Sequence, residues 1–305
     1  MKEIIGFIKT YYKGVSKPVL LVCTLFLSAL IWFNYQYRLE YRLINRSGLP
    51  LSFFTGHFLI YFIAFLGPHL LLLWQNKRSA AADWRFICCL LLAPILFAIK
   101  VSMNTYIPLS PDGVWNNYWN DITYWPLRLI VLLLLLDICR FFFHKEKGFY
   151  GLQAKRFNFT PYLLMLLIMA PLIAAASTQP DFLVAYPKMK TIIPLPGDAN
   201  PGWLYKLLFE LSYGSDFFSV EIFFRGFLII GFMKWVGKDA ILPMACFYCT
   251  IHFGKPLGEC ISSYFGGMLL GIVSYNSRSI YGGLIVHLGI AWLMEIGGYI
   301  GSLVK

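Results

Sequence analysis

Asp216-Phe-Phe-Ser-Val-Glu-Ile-Phe-Phe-Arg-Gly-Phe-Leu-Ile-Ile-Gly231 is an apolar segment that carries a carboxylate, Glu221, and a guanidinium, Arg225, four residues apart. The segment reads as membrane-spanning, and charges within a bilayer are costly, so they usually face a cavity or a partner and mark a function. At helical spacing the two side chains share one face and can pair with each other. The simpler alternative is a pair that only neutralises itself.

Two histidines follow in equally apolar surroundings, His252 and His287. Either one alone could be a satisfied core histidine. The helix-breaking run Gly254-Lys-Pro-Leu-Gly-Glu259 comes directly after His252, however, and irregular backbone at membrane depth is tolerated where it lines a cavity. We therefore expect the glutamate, the arginine and the two histidines to surround one polar cavity.

The composition sets the class of protein. Of 305 residues, 58% are hydrophobic and only 13% are charged, and several apolar runs approach the roughly 20 residues that cross a bilayer. The sequence therefore predicts an all-α, polytopic transmembrane helical bundle of about eight to nine spans with a polar intramembrane cavity. No internal repeat or linker divides it, so we expect a single integral membrane domain over residues 1–305.

The apolar runs place the spans. The stretch 203–213 has an amphipathic pattern that either lies at the interface or begins a long sixth helix. A polar, aromatic loop is predicted over 102–123, a basic loop over 140–156 and a Pro-rich loop up to residue 201. The predicted spans are 18–35, 51–74, 86–101, 124–143, 161–177, a sixth ending near 234, 240–253, an eighth ending near 275, and 280–300.

Basic residues indicate the orientation. Of the lysines and arginines in the predicted loops, fifteen fall on the side of the N-terminus and eight on the other side. By the positive-inside rule the N-terminus is cytoplasmic, in a multi-pass protein of the plasma (inner) membrane. The first span has no small-residue cleavage site after it, which favours a retained signal anchor.

The net charge of +11 comes from these loop residues, so nucleic acid is not an expected partner. Most of the seven cysteines lie inside apolar runs, as buried thiols do, and no disulfide framework is implied. The spacing Cys246-x-x-Cys249-x-x-His252 could hold a structural zinc, but packing is the simpler reading.

Counting from basic residues at the N-terminal side tests whether the polar groups lie at compatible depths. Glu221 is thirteen residues from Lys234, His252 is fourteen from Lys238, and His287 is nine from Arg278. At 1.5 Å per residue these separations are roughly 20, 21 and 14 Å, within about two helical turns of one another.

The order of these motifs resembles that of the CPBP family, the intramembrane endopeptidases of the CaaX-prenyl-protease and bacteriocin-processing (Abi) group. That family carries Glu-Glu-x-x-x-Arg, then Phe-x-x-x-His, then His-x-x-x-Asn or Asp. Here the three motifs read Val220-Glu221-x-x-x-Arg225, Tyr248-x-x-x-His252 and His287-x-x-x-Ala291, within a motif core of about 203–300. The resemblance implies a membrane-bound protease with Glu221, Arg225, His252 and His287 as catalytic residues.

The sequence departs from the family pattern at two positions. In the family the first glutamate is assigned, with the histidine of the second motif, to activating water, and that position is Val220. The polar residue of the third motif is Ala291. Asp216, one turn before Val220 on its face, and Glu259, which follows His252, could each supply a carboxylate instead.

We therefore expect an intramembrane endopeptidase that hydrolyses a peptide bond in a membrane-associated peptide or protein. Two histidines and a carboxylate could bind a divalent metal such as zinc, with His252 and His287 as ligands, or act metal-free with the carboxylate as base. The alternatives are a catalytically inactive family member that binds a membrane partner or serves in maturation, and a small transporter or channel that uses the ion pair.

Overall fold

The computed structural model describes residues 2–44, 50–75, 78–144, 148–153, 158–192 and 202–304, and every regular element in these ranges is a helix. The all-α prediction is therefore confirmed for the described residues. The α-helices are α1 Lys2–Gly14, α2 Lys17–Tyr37, α3 Leu39–Ile44, α4 Pro50–Gln75, α5 Arg78–Ala81, α6 Trp84–Ser102, α7 Gly113–Phe143, α8 Thr160–Ala176, α9 Pro180–Ala185, α10 Trp203–Glu221, α11 Met233–Val236, α12 Ile241–Thr250, α13 Leu257–Ser277 and α14 Tyr281–Val304. A π-helix covers Ile222–Gly231, and short 3₁₀ turns cover Lys188–Ile192 and Gly237–Ala240.

Five of these helices, α2, α4, α6, α13 and α14, are long and apolar enough to cross a membrane, and α8 is a shorter apolar helix. The exposed side of α2 carries large apolar residues such as Leu21 and Leu25, each 60% exposed, which suits a surface that faces lipid. The multi-pass membrane class is thus supported. The count of eight to nine spans stays a prediction.

The helices group into two compact units. The first unit contains the described residues of 1–102, 134–156 and 221–283, and the second contains those of 103–133, 157–220 and 284–305. In the first unit α12 packs against α4 and α13, and α4 packs against α6. Both units are built from separated segments, and helices α7, α10 and α14 each supply residues to both, so the single domain also stays a prediction.

The predicted loop over residues 102–123 is wrong for its second half, because α7 already begins at Gly113. The Asp112 carboxylate accepts the backbone N–H groups of Val114 and Trp115 at 2.9 and 3.0 Å, which caps the helix. The side chains that follow at helical spacing pack with the start of α10 in one hydrophobic cluster. These side chains are Trp115, Tyr118, Trp119 and Ile122.

The amphipathic stretch after Trp203 does begin a long helix, the second of the two predicted options. That helix continues from α10 into the π-helix, which the sequence pattern does not reveal. The predicted helix break is confirmed as well, since α12 ends at Thr250 and α13 starts after Pro256. Parts of the predicted basic loop (145–147 and 154–156) and of the Pro-rich loop (193–201) lie outside the described residues.

Small residues permit the close helix packing in the first unit. A side-chain carbon added at Gly267 would lie 2.8 Å from the Tyr248 ring, and one added at Gly271 would lie 2.7 Å from Met244. Both contacts run from α13 to α12. Glycine at these positions lets the two helices approach until side chains of α12 touch the α13 backbone.

Candidate functional site

Glu221 and Arg225 form an ion pair in the first unit. Arg225 Nη1 lies 3.1 Å from Glu221 Oε1, and neither side chain has any exposed surface. A buried charge without its partner would be strongly destabilising. Neither side chain could therefore be buried here without the other. The pairing predicted from the spacing is confirmed, although the arginine stands on a π-helix rather than on an α-helix.

The π-helix runs through ten residues, Ile222–Gly231, of which nine are buried. Such helices are rare, occur mostly as single-turn bulges, and are frequent at functional sites. Here the π-helix directly follows Glu221 and carries Arg225. The candidate site is thus built on backbone that departs from ordinary helix geometry.

Tyr248 connects the ion pair to His252. The Arg225 guanidinium carbon lies 4.3 Å from the centroid of the Tyr248 ring, a cation–π contact. The His252 ring packs edge-on against the same ring, with centroids 4.9 Å apart. Glu221, Arg225, Tyr248 and His252 therefore form one contiguous group, in which the tyrosine of the second motif is the central member.

The hydrogen bond of His252 indicates which ring nitrogen carries the hydrogen. Its Nδ1 lies 3.1 Å from the backbone oxygen of Tyr248. A carbonyl oxygen only accepts, so Nδ1 carries the hydrogen, and in the neutral ring Nε2 holds the lone pair. This orientation of the imidazole is one that a general base or a metal ligand requires.

The Glu221 carboxylate also lies against the beginning of α14. A side chain at Gly283, in the first turn of that helix, would collide with the carboxylate. The first N–H groups of a helix have no partner within the helix and carry partial positive charge. The carboxylate is therefore placed between the Arg225 guanidinium and the N-terminus of α14.

A carboxylate that the sequence pattern does not link to the site, Glu40 of α3, packs on the turn after His252. Lys255 N–H donates to the His252 carbonyl at 3.1 Å, and Gly254 within this turn has φ +82°. A Cβ at Gly254 would lie 2.5 Å from Glu40 Oε2, so the glutamate packs directly on the turn. Its position, more than 200 residues earlier in the chain, gave no signal that could have linked it to His252.

The two proposed substitute carboxylates are both engaged with near neighbours. Glu259 Oε1 lies 2.9 Å from Lys255 Nζ, an ion pair within the first turn of α13 and the residues before it. Asp216 Oδ1 accepts the Ser219 hydroxyl at 3.1 Å, one helical turn away. Neither contact assigns a catalytic role, so both residues remain predictions.

His287 and Ala291 belong to the second unit, whereas His252 belongs to the first. Within that unit the His287 ring packs edge-on against Phe217, with centroids 4.8 Å apart. Ala291 is buried in a hydrophobic cluster with the aromatic rings of Tyr118, Phe209 and Tyr213. The position where the family carries Asn or Asp is thus occupied by a small apolar residue in apolar surroundings.

No group of three or more His, Cys, Asp or Glu residues is placed to hold a metal ion within the part of the chain that the structure describes. Of the predicted Cys246-x-x-Cys249-x-x-His252 set, Cys249 instead donates its thiol to the Cys260 carbonyl at 3.2 Å. The orientation of His252, with Nδ1 bonded and Nε2 directed away from that bond, does suit a metal ligand. Metal binding at His252 and His287 stays a prediction.

The fold and the site together define a multi-pass membrane protein with a buried, charged and histidine-bearing group on irregular helical backbone. Residues 216–293 match the family described as Type II CAAX prenyl endopeptidase Rce1-like. The family resemblance predicted from the motifs is thereby confirmed, over a segment that includes all three motifs. No curated protein and no solved structure matches the chain.

Proposed function

We propose that the protein is an intramembrane endopeptidase that hydrolyses a peptide bond in a membrane-associated peptide or protein. The observation that supports this most is the contiguous group of Glu221, Arg225, Tyr248 and His252, inside the segment that matches a protease family. Hydrolysis requires a base that activates water, and His252 Nε2 is the oriented lone pair in this group.

In this proposal each residue has its own role. His252 accepts the proton of the attacking water, and its Nδ1 bond to the Tyr248 carbonyl holds the ring in the required tautomer. The ion pair of Glu221 and Arg225 fixes Tyr248 through the cation–π contact and thus fixes the face against which His252 packs. His287 enters the proposal on the strength of its motif alone.

The proposal also includes a metal-dependent version of the site. In this version His252, His287 and a carboxylate hold a divalent metal such as zinc. A bound metal would polarise the water and the scissile carbonyl. Metal analysis of the purified native protein and of His252→Ala would measure it, independently of any activity. A native protein without stoichiometric metal, and with undiminished cleavage in a chelator, would contradict this version.

The test of the proposed function is cleavage of a quenched fluorescent peptide library by the purified full-length protein in lipid nanodiscs. His252→Ala should abolish cleavage and leave the melting temperature nearly unchanged, because the half-buried ring contributes little packing. His57→Ala is the matched control, since His57 Nδ1 also lies 2.9 Å from the carbonyl oxygen four residues before it, but on α4 outside the motifs. Equal activity of the two variants would refute the role of His252.

A second candidate is a non-catalytic member of this group that binds a membrane peptide or protein. The observation that favours it is the apolar cluster around Ala291, where the resembled family carries Asn or Asp. Under this candidate the native protein binds peptides without cleaving them. Val220→Glu, which returns a carboxylate to the family position, should then create cleavage. Ile222→Glu, two residues further along the chain, is its control.

A further inference from the structure

A cavity of about 310 Å³ lies in the first unit. It is lined by residues at the end of α1, the start of α2, the end of α4 and the start of α12. Ser16 precedes α2, Gln75 ends α4, and Lys238 and Asp239 precede α12. This volume falls at the lower end of the range for small-molecule sites. None of the motif residues lines the cavity, so it is separate from the candidate active site.

The lining of the cavity combines apolar and polar side chains, which we call the floor and the rim. The floor consists of aliphatic side chains from α2, α4 and α12, including Val19, Leu72 and Leu242. The rim carries Tyr11 of α1 together with the charged pair Lys238 and Asp239. Because α2 begins here and α4 ends here, and both are candidate membrane spans, we expect the rim at the boundary between the hydrocarbon and the headgroups.

Tyr11 gives the rim an unused donor. Its side chain is only 4% exposed, and the described residues supply no hydrogen-bond partner for its hydroxyl. Burial raises the pKa of this hydroxyl, so at neutral pH the group keeps its proton and acts as a donor. A buried hydroxyl without a partner is costly, which indicates that an acceptor from outside the protein completes the site.

The charges around the cavity define what such an acceptor is. Lys238 Nζ lies against Gly14 at the end of α1, and the cavity faces the first turns of both α2 and α12. Helix N-termini and an ammonium group favour an anion, above all a phosphate. Asp239 adds one negative charge beside them and favours a cationic group on the same ligand.

We propose that this cavity binds the headgroup of a zwitterionic phospholipid that carries a phosphate and a primary ammonium, as in phosphatidylethanolamine. The phosphate accepts from Tyr11 and Lys238, the ammonium donates to Asp239, and the glycerol and first acyl carbons cover the apolar floor. We infer that the ligand is a membrane lipid rather than a soluble phosphate ester, because part of the lining is apolar and the cavity lies at the ends of two candidate spans.

The experiment measures binding of short-chain phosphatidylethanolamine, phosphatidylcholine and phosphatidylglycerol to the delipidated full-length protein in detergent, by native mass spectrometry. Phosphatidylethanolamine should bind about tenfold more tightly than either of the others, which lack one of the two groups the rim recognises. Lys238→Gln should weaken that binding about tenfold. Lys9→Gln, an exposed lysine of α1, should leave it unchanged.

Tyr11→Phe separates a ligand contact from a structural one. This variant should bind phosphatidylethanolamine several-fold more weakly, yet the lipid-free variant should melt at a higher temperature than the native protein, because a buried hydroxyl without a partner is gone. A purely structural tyrosine would lower the melting temperature instead. The proposal is overturned if the three lipids bind equally, if Lys238→Gln and Lys9→Gln behave alike, or if soluble glycerophosphoethanolamine competes as well as the lipid.

Discussion

The Arg225 guanidinium and the His252 imidazole contact the same aromatic ring, that of Tyr248, at 4.3 Å from its centroid and 4.9 Å between centroids. One side chain thus transmits the position of the buried ion pair to the proposed base. Tyr248→Phe should keep both contacts, whereas Tyr248→Leu should lower the free energy of unfolding by about 2 kcal/mol more than Phe, because a desolvated cation–π contact is lost. Thermal melts of both variants in the same detergent measure this. Equal melting temperatures would contradict it.

The ion pair itself should behave as a coupled unit. Arg225→Ala should lower the free energy of unfolding by about 3–5 kcal/mol, because Glu221 is then buried without a partner. The double variant Glu221→Gln/Arg225→Met should recover part of that loss. Denaturant unfolding of the three proteins in mixed micelles gives the values. Additive losses in the double variant would show that the two residues do not interact energetically.

Gly254 should tolerate no side chain. Gly254→Ala places a Cβ at φ +82° and 2.5 Å from the Glu40 carboxylate, so we expect a loss of about 1–3 kcal/mol. Glu40→Ala in the same background should recover the part due to the clash but not the part due to φ. The stability of the single and double variants separates these parts. Because the turn also holds His252, the same variants should reduce cleavage before they unfold the protein.

His144 should make the protein less stable in acid. It is buried beside Tyr150 and Trp235, and burial together with the nearby Lys234 ammonium lowers the pKa of His144 from 6.5 to about 4. The unfolded chain therefore binds a proton below about pH 6.5 that the folded chain does not bind until about pH 4.

The stability contributed by neutral His144 is thus fully present above about pH 7 and is lost as the pH falls from about 6.5 to about 4, by roughly 3 kcal/mol in all. Melting temperatures of the native protein and of His144→Gln, measured between pH 7.5 and 4.5, give this dependence. The variant should show a shallower fall over this range. Parallel curves for the two proteins would mean that another group titrates.

The predicted orientation can be tested at the segment before α7. Leu109 is 46% exposed and lies between the third and fourth predicted spans. In cells that express Leu109→Cys, a membrane-impermeant maleimide should label the new thiol from outside, since the basic residues favour the N-terminal side as cytoplasmic. The native protein, with its own cysteines, provides the background. Labelling only from the cytoplasmic side of inverted vesicles would reverse the topology.

The sequence contained enough to predict the helical class and the ion pair, because both follow from local patterns. Apolar runs and the four-residue spacing of Glu221 and Arg225 each involve residues close in the chain. The helical start of α7 was not predicted, because residues 102–123 are polar and aromatic and suggested a loop, whereas Asp112 in fact caps the helix.

Contacts between distant segments were beyond reach of the sequence. Glu40 packs on the turn after His252, and Gly283 makes room for the Glu221 carboxylate. The sequence around Glu40 and around Gly283 does not indicate either contact. The tautomer of His252 likewise depends on where the ring turns after α12 ends. These are properties of tertiary packing, which one sequence does not specify by periodicity.

The ten-residue π-helix changes how residue number converts into distance along the helix axis. Its wider turns take up more residues than an α-helix would between the same two ends, so residue counts across 222–231 do not convert into depth at 1.5 Å each. Removing one residue here would let part of the segment return to α geometry, so the residues beyond the deletion would keep their orientation. Some side chains within the segment would then shift by one position, a change of about 100° around the helix axis. Proteins that differ by one residue in this segment can therefore have helices with matching ends and present different side chains to the same neighbours.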